Sequence, residues 1–371
     1  MNILQSTMLY ESWLGERASI QRDDLQHKYE IMTESPFIFL RGTFYHWMQQ
    51  LPEKCPDVLK APQTLVVGDL HVDNFGTWRD AEGRLIWGIN DFDEACVTYC
   101  INDLIRLATS AALATEQNHL AIKVKDACQA ITEGYLDAMG KGGYPFVLAE
   151  KHDKLRLMAF SDLRDPVRYW RKLNGLSVFT AVPPLQMRIL KESFPSEEIN
   201  ITVYHRVAGV GSLGRPRYMA MAEWQGGFMA REAKTLVESA NNYLEKSPTP
   251  KPSLYSVILK SAVRSLDPYF QIISGWIVRR LAPDCSRIDI ASLPKDRDEL
   301  HLMYCMGWET ANIHLGDKKN APSAFEYVRH LPASWLISAV EKMTEDTIKD
   351  WKQWKASDWE STMSHRNPSQ H

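Results

Sequence analysis

The sequence predicts an α+β fold, helix-rich toward both ends of the chain with a small antiparallel β segment between them. Two observations carry this prediction. Helix-period apolar patterns dominate residues 20–50, 103–140, 298–314 and 333–354; Leu104, Ile105, Leu107, Ala108, Ala111 and Ala112, for example, share one helical face. At residue 200 the texture changes: Ile201-Thr202-Val203-Tyr204 and Arg217-Tyr218-Met219-Ala220-Met221 are β-rich, with Gly209-Val210-Gly211-Ser212-Leu213-Gly214 between them.

In chain order, Met32-Thr33-Glu34-Ser35-Pro36 breaks the first helical run, and Pro36 marks a helix start or kink. Thr64-Leu65-Val66-Val67 reads as a strand, followed by a turn at Asp80-Ala81-Glu82-Gly83 and the apolar run Leu85-Ile86-Trp87-Gly88-Ile89. Adjacent strands lie about 4.8 Å apart, so acids after the first run and at the end of the second would converge. Asn102 or Asp103 is expected to cap the next helix, and a carboxylate in that first turn is also placed to bond the backbone of the preceding loop. Residues 140–145 form a loop, Pro183-Pro184 and Pro195 punctuate the next segment, and residues 247–253 read as a surface loop or linker. Four segments result: a helix-rich part at 1–195, a β-rich clamp at 196–295, a helical return at 296–360 and a flexible tail at 361–371.

The chain has 371 residues, long enough for two domains, with 44% apolar and 24% charged residues, as in ordinary water-soluble proteins. A net charge of -3 gives no reason to expect nucleic acid or an anionic membrane as a partner. No leader pattern stands at the first residues and no apolar run is long enough to span a bilayer, so no membrane partner and a cytoplasmic location are expected. The six cysteines are scattered, and Cys96 and Cys100 have no second Cys/His pair to complete a zinc set; buried, reduced thiols are expected.

Chemistry concentrates at Gly68-Asp69-Leu70-His71-Val72-Asp73-Asn74-Phe75-Gly76. Asp69 and Asn74 have the spacing of a phosphotransferase catalytic loop, where the aspartate orients the acceptor and takes its proton and the asparagine holds magnesium. Asn90-Asp91-Phe92-Asp93-Glu94 adds carboxylates, and magnesium favours one or two of these with phosphate and water filling its other positions. Asp91 and Asp93 are therefore metal candidates beside Asn74. His71, Asp103 and Arg41 are candidates for supporting roles.

The glycine segment is followed by a strand, not by the helix that a dinucleotide fingerprint requires. A glycine loop on a β-hairpin with a cation on the next strand is instead the kinase manner of holding a nucleotide. Gly209, Gly211, Ser212 and Gly214 are the phosphate-loop candidates, and Arg231 or Lys234 the cation. Only 68 residues precede Asp69, and they are largely helical. The expected architecture is thus a two-lobed, protein-kinase-like fold in circularly permuted order, catalytic loop first and nucleotide clamp second.

The chain resembles the uncharacterised bacterial family called domain of unknown function 2252, grouped with kinase-like proteins, over about residues 28–355. The carriers are Met32-x-x-Ser35-Pro36-Phe37-x-Phe39-x-Arg41-Gly42, the 68–76 loop, Asn90-Asp91-Phe92-Asp93-Glu94, Asp103-x-x-Arg106-Leu107-Ala108, Ala208-Gly209-Val210-Gly211-Ser212-x-Gly214 and Arg280-Leu281-x-Pro283-x-x-x-Arg287-Ile288-Asp289. Locally the loop is also similar to that of aminoglycoside and choline-type kinases. That similarity implies Asp69 as catalytic base, Asn74 as a magnesium ligand and Asp91 as the magnesium ligand equivalent to the aspartate of Asp-Phe-Gly. Where the family usually shows lysine before Glu-Ala, this chain has Arg231-Glu232-Ala233, with Lys234 three residues on.

The expectation is an ATP- (or other NTP-) and magnesium-dependent phosphotransferase, nucleotidyl transfer included, acting on an unknown small-molecule or protein acceptor. Two alternatives stand beside it. One is a nucleotide-binding, pseudokinase-type regulator, suggested by Arg231. The other is a metallophosphoesterase using Asp69, His71 and Asp91, against which the Gly-Asn-His element typical of such sites is absent among the eleven histidines.

Overall fold

The computed structural model describes residues 1–148, 151–159, 165–247, 249–285, 287–288, 290–292 and 298–364. It is α+β with antiparallel sheets. Strands β1 (Gln63–Val66), β2 (Phe75–Arg79), β3 (Leu85–Ile89), β4 (Cys96–Tyr99) and β5 (Phe146–Val147) belong to the first half of the chain. Strands β6 (Thr202–His205), β7 (Arg217–Trp224), β8 (Gly227–Thr235), β9 (Gln271–Ile273) and β10 (Trp276–Leu281) build a separate five-stranded sheet in the order β6-β7-β8-β10-β9.

Helices Ile101–Glu116, Val124–Lys141, Glu299–His314 and Trp335–Ala356 enclose the larger core. The helix Glu299–His314 is buried almost all round from Leu302 onward, so its sequence carries little amphipathic signature. It crosses Val124–Lys141 at very close range: a Cβ on Gly134 would fall 1.9 Å from the Tyr304 carbonyl oxygen, and one on Gly307 would fall 2.0 Å from that of Ile131. Neither backbone can retreat without unpacking the core. Gly134→Ala is expected to destabilise the protein by about 3 kcal/mol, read as a lower urea midpoint with an unchanged slope.

The five-stranded sheet has two faces because strand side chains alternate. Val203, Tyr218, Ala220, Ala233 and Val278 pack on Ile189, Leu190 and Phe194 of the segment around helix Pro184–Glu192. Tyr204, Met219, Met221, Ala230 and Leu281 face Leu173 and its helix Pro166–Asn174. Strands β7 and β8 join through Gln225 and Gly226, both at positive φ (49° and 80°), which gives a two-residue turn whose twist suits a hairpin.

Several sequence expectations need correction. β1 pairs with β4, and the hairpin partner of β3 is β2, which begins directly after Asn74. The acids converge because the catalytic-loop candidate runs straight into that hairpin, not because β1 lies beside β3. Neither Asn102 nor Asp103 caps its helix, whose N-cap is Cys100. Pro36 does start a helix, one of its two expected roles, with Ser35 Oγ accepting from Ile38 N at 3.2 Å. Val237, Ala240, Tyr255 and Ile258, within the 196–295 segment, lie in the larger core. Helix Trp359–Ser364 covers the start of the expected tail, and 365–371 lie outside the described residues. Among the described residues no helix is long and apolar enough to cross a membrane, and all six cysteines are free and buried.

Candidate active site

The loop between β1 and β2 is shaped by backbone needs. Gly68 has φ +84°, and a Cβ there would sit 2.2 Å from the Glu94 carbonyl oxygen, so only glycine lets the loop pass the acidic cluster. The Asp103 carboxylate accepts from Val67 N at 2.7 Å and Gly68 N at 2.9 Å. His314 Nε2 lies 3.2 Å from the same carboxylate, and its Nδ1 meets the Tyr135 hydroxyl at 2.9 Å. Asp103 therefore supports the loop backbone, as its place in the first helical turn suggested.

Asp69 Oδ1 accepts from Arg106 Nε at 2.8 Å and Nη2 at 2.5 Å, and the same Nη2 donates to Leu40 O at 2.8 Å. The Arg106 side chain is fully buried, its guanidinium against the Phe44 and Trp47 rings. Burial raises the Asp69 carboxyl above its usual range, and the Arg106 charge opposes that rise. Asn74 Nδ2 donates to Asp69 O (3.3 Å) and Asp91 O (3.1 Å), which fixes the amide and leaves Oδ1 as its acceptor side. Asp73 accepts from Arg41 Nη1 at 2.8 Å, with Arg287 Nη1 at 3.9 Å.

The second sheet meets this loop directly. Lys234 on β8 donates to both oxygens of Asp91, at 3.0 and 2.9 Å, and to Asp93 at 2.9 Å. Burial alone would raise the Asp91 carboxyl, yet the Lys234 ammonium holds it well below the ordinary carboxylate range. Burial and then the Asp91 charge push Asp93 up to about 6. In the loop joining β6 to β7, Arg215 donates to Glu94 Oε1 at 3.2 Å. Gly211 of the same loop comes so near the catalytic-loop candidate that a Cβ would be 3.1 Å from Arg41 O and 3.3 Å from Asp69 Oδ2.

Arg231 is turned away from Asp91 and Asp93. It lies on the opposite face of β8 from Glu232 and Lys234, donates to Ser193 O (3.1 Å) and Ala230 O (3.0 Å), and stacks against Phe194 and Tyr269. Gly214 is likewise away from the cleft, beside Leu25, its carbonyl accepting from Gln21 N at 2.7 Å. Gly209, Gly211 and Ser212 line the cleft, whose volume is about 690 Å³, together with Asp69, His71, Asn74, Asp91 and Asp93. Its apolar wall includes Tyr169, Leu173, Leu176 and Leu281.

Three residues were given no role from the sequence. Arg106 follows Asp103 by three positions on one helix face, a spacing that could have flagged it. Arg215 and Glu232 gave no such signal. Glu232 is fully buried between Arg206, Arg217 and Arg279, with Arg279 Nε at 2.7 Å and Arg217 Nη1 at 3.2 Å. Burial would raise its carboxyl, but the three guanidiniums hold it well below the usual range.

Residues 21–163 match the DUF2252 family. That family is described as an uncharacterized protein conserved in bacteria. The DUF2252 segment holds Asp69, Asn74, Asp91, Asp93, Asp103 and Arg106, and bears out the resemblance over this part of the chain. The match does not extend to residues 164–355, which include the glycine loop; Asp289 of the last motif lies outside the described residues. No curated protein and no solved structure matches the chain.

Among the described residues no three His, Cys, Asp or Glu side chains gather as a metal-holding group. The donors do fit magnesium delivered with a nucleotide, which needs only one or two protein oxygens: Asn74 Oδ1 and the Asp91 carboxylate, whose side chain is 40% exposed.

Behind the hairpin, Glu309 is buried beneath Gly88, with Oε1 accepting from Ile89 N at 3.3 Å and Oε2 from Asn312 Nδ2 at 2.7 Å. Burial pushes its carboxyl up to about 7 from an ordinary 4.5. The unfolded chain releases this proton first, so stability falls as pH rises from 4.5 to 7 and levels above, by on the order of 3 kcal/mol. Urea midpoints across that range are expected to lose this fall in Glu309→Gln.

Proposed function

We propose that this protein is a magnesium- and ATP-dependent phosphotransferase of kinase-like build, its catalytic loop preceding its nucleotide clamp in the chain. The observation that carries the reading is the meeting of two distant segments: Lys234 spans Asp91 and Asp93, while Gly211 lies over Asp69. A glycine loop between two antiparallel strands, with a lysine on the next strand, and an aspartate and asparagine five residues apart are the parts that phosphoryl transfer calls for.

In this reading Lys234 exchanges its carboxylates for nucleotide phosphates, and backbone N–H groups of residues 209–212 cover them. Asn74 and Asp91 would hold magnesium, which would supply charge neutralisation on the phosphates. Arg106 occupies Asp69 Oδ1, so Oδ2 is the oxygen left to orient an acceptor hydroxyl. As the acceptor oxygen bonds to phosphorus and the bond to the leaving nucleoside diphosphate breaks, the hydroxyl proton passes to Oδ2. Gly211 must lift for an acceptor to reach that atom.

The test is labelled transfer. ATP carrying label at the γ-phosphate is incubated with magnesium and a panel of small-molecule and protein acceptors, with α-labelled ATP run in parallel to detect nucleotidyl transfer. Transfer is expected from wild type and not from Asp91→Ala; an Asp91→Ala protein working at the wild-type rate would overturn the metal assignment. Nucleotide binding without transfer to any acceptor would favour the regulator reading.

A further inference from the structure

The cleft beside Asp69 has two electrostatic characters. Toward Asn74 and Asp91 it is acidic and answered by Lys234. Toward His71 it is cationic: Arg41, Arg106 and Arg287 gather around Asp69 and Asp73. Both carboxylates are already served, Asp69 by Arg106, and Asp73 by Arg41 at 2.8 Å and by Ile290 N at 3.3 Å. Arg287 stands 3.9 Å from Asp73, outside hydrogen-bond distance, with a side chain 43% exposed at the cleft.

His71 is the second observation. It is only 9% exposed, lines the same cleft, and its Nδ1 is buried with no hydrogen-bond partner among the described residues. Burial, then the charges of Arg41, Arg106 and Arg287, keep its ring neutral. A buried polar atom left unmatched is a standing cost that a ligand atom can relieve.

We propose that the acceptor carries a carboxylate, held beside Asp69 by Arg287 and the His71 ring within the field of Arg41. The proposal rests on the phosphotransferase reading. A carboxylate is planar, suits the guanidinium fork, and brings the single negative charge that three guanidiniums over two carboxylates leave unbalanced. A dianionic phosphate would overshoot that balance next to Asp69. A cationic acceptor, as the loop's similarity to aminoglycoside and choline-type kinases would suggest, is repelled here.

The test uses the full chain with ¹⁵N-labelled histidine, following the His71 ring resonances, assigned by their loss in His71→Gln. Glycolate is expected to shift them saturably, at least tenfold more weakly in Arg287→Gln, while choline and ethylene glycol leave them in place. Equal shifts from choline or ethylene glycol, a glycolate response indifferent to Arg287→Gln, or a response to inorganic phosphate but not glycolate would each overturn the proposal. Mg·ATP binding is measured on the same samples. Nucleotide binding without a glycolate response removes the carboxylate subsite alone, whereas a glycolate response without nucleotide binding removes the phosphotransferase reading and leaves the subsite standing.

Discussion

Asp69→Asn is expected to cut labelled phosphate transfer by about 10²–10⁴-fold, the range a positioned general base contributes. It is also expected to lower stability, because Arg106 is fully buried and Asp69 is its charge partner at 2.5 Å. Stripping a buried guanidinium of its counter-charge costs about 3–5 kcal/mol. The two effects separate in the double variant Asp69→Asn/Arg106→Leu. Removing both charges lets the Leu side chain pack against Phe44 and Trp47, where the guanidinium now lies, and most of the stability should return. Activity should not. Urea titrations of wild type, both single variants and the double variant give the coupling, and recovery of transfer in the double variant would remove Asp69 from the chemistry.

Lys234→Met is expected to weaken nucleotide binding by roughly 10–100-fold, the worth of a hydrogen bond to a charged group. It also leaves Asp91 and Asp93 facing each other without their shared cation, so Asp93 keeps its proton to higher pH than the present value of about 6. Arg231→Met makes the contrast. Its guanidinium is engaged by Ser193 O, Phe194 and Tyr269 on the other face of β8, so its loss should cost about 1–2 kcal/mol of stability and leave nucleotide affinity unchanged. Titration of each variant with a fluorescent ATP analogue decides between the two cations. An unchanged affinity in Lys234→Met with a loss in Arg231→Met would reverse the assignment.

Much of this arrangement was legible in the residues themselves. The β-rich texture of 201–231 with glycines between its first two runs gave the β6-β7-β8 hairpins, because side-chain type and turn chemistry are local properties. The support from Asp103 was readable from its place in the first helical turn after the acidic cluster. The partner of β1 was not, since β4 pairs with it across about 30 residues of intervening chain and hydrophobic pattern alone does not choose partners. Strand alternation always set Arg231 and Lys234 on opposite faces, but which face meets Asp91 is decided by the packing of Ala233 and Tyr218 on Ile189 and Phe194. Arg106 was obscured for a different reason: a charged residue within an apolar helical face reads as a solvated edge until its burial against Phe44 and Trp47 is seen.

If Lys234, the glycine loop and Asn74 form one nucleotide site, calorimetric titration of the full chain with ATP, with and without magnesium, will register it. Saturable one-to-one binding that strengthens when magnesium is present is the expected result. No heat of binding for ATP or GTP at millimolar concentration, with magnesium and with the protein folded, would contradict it.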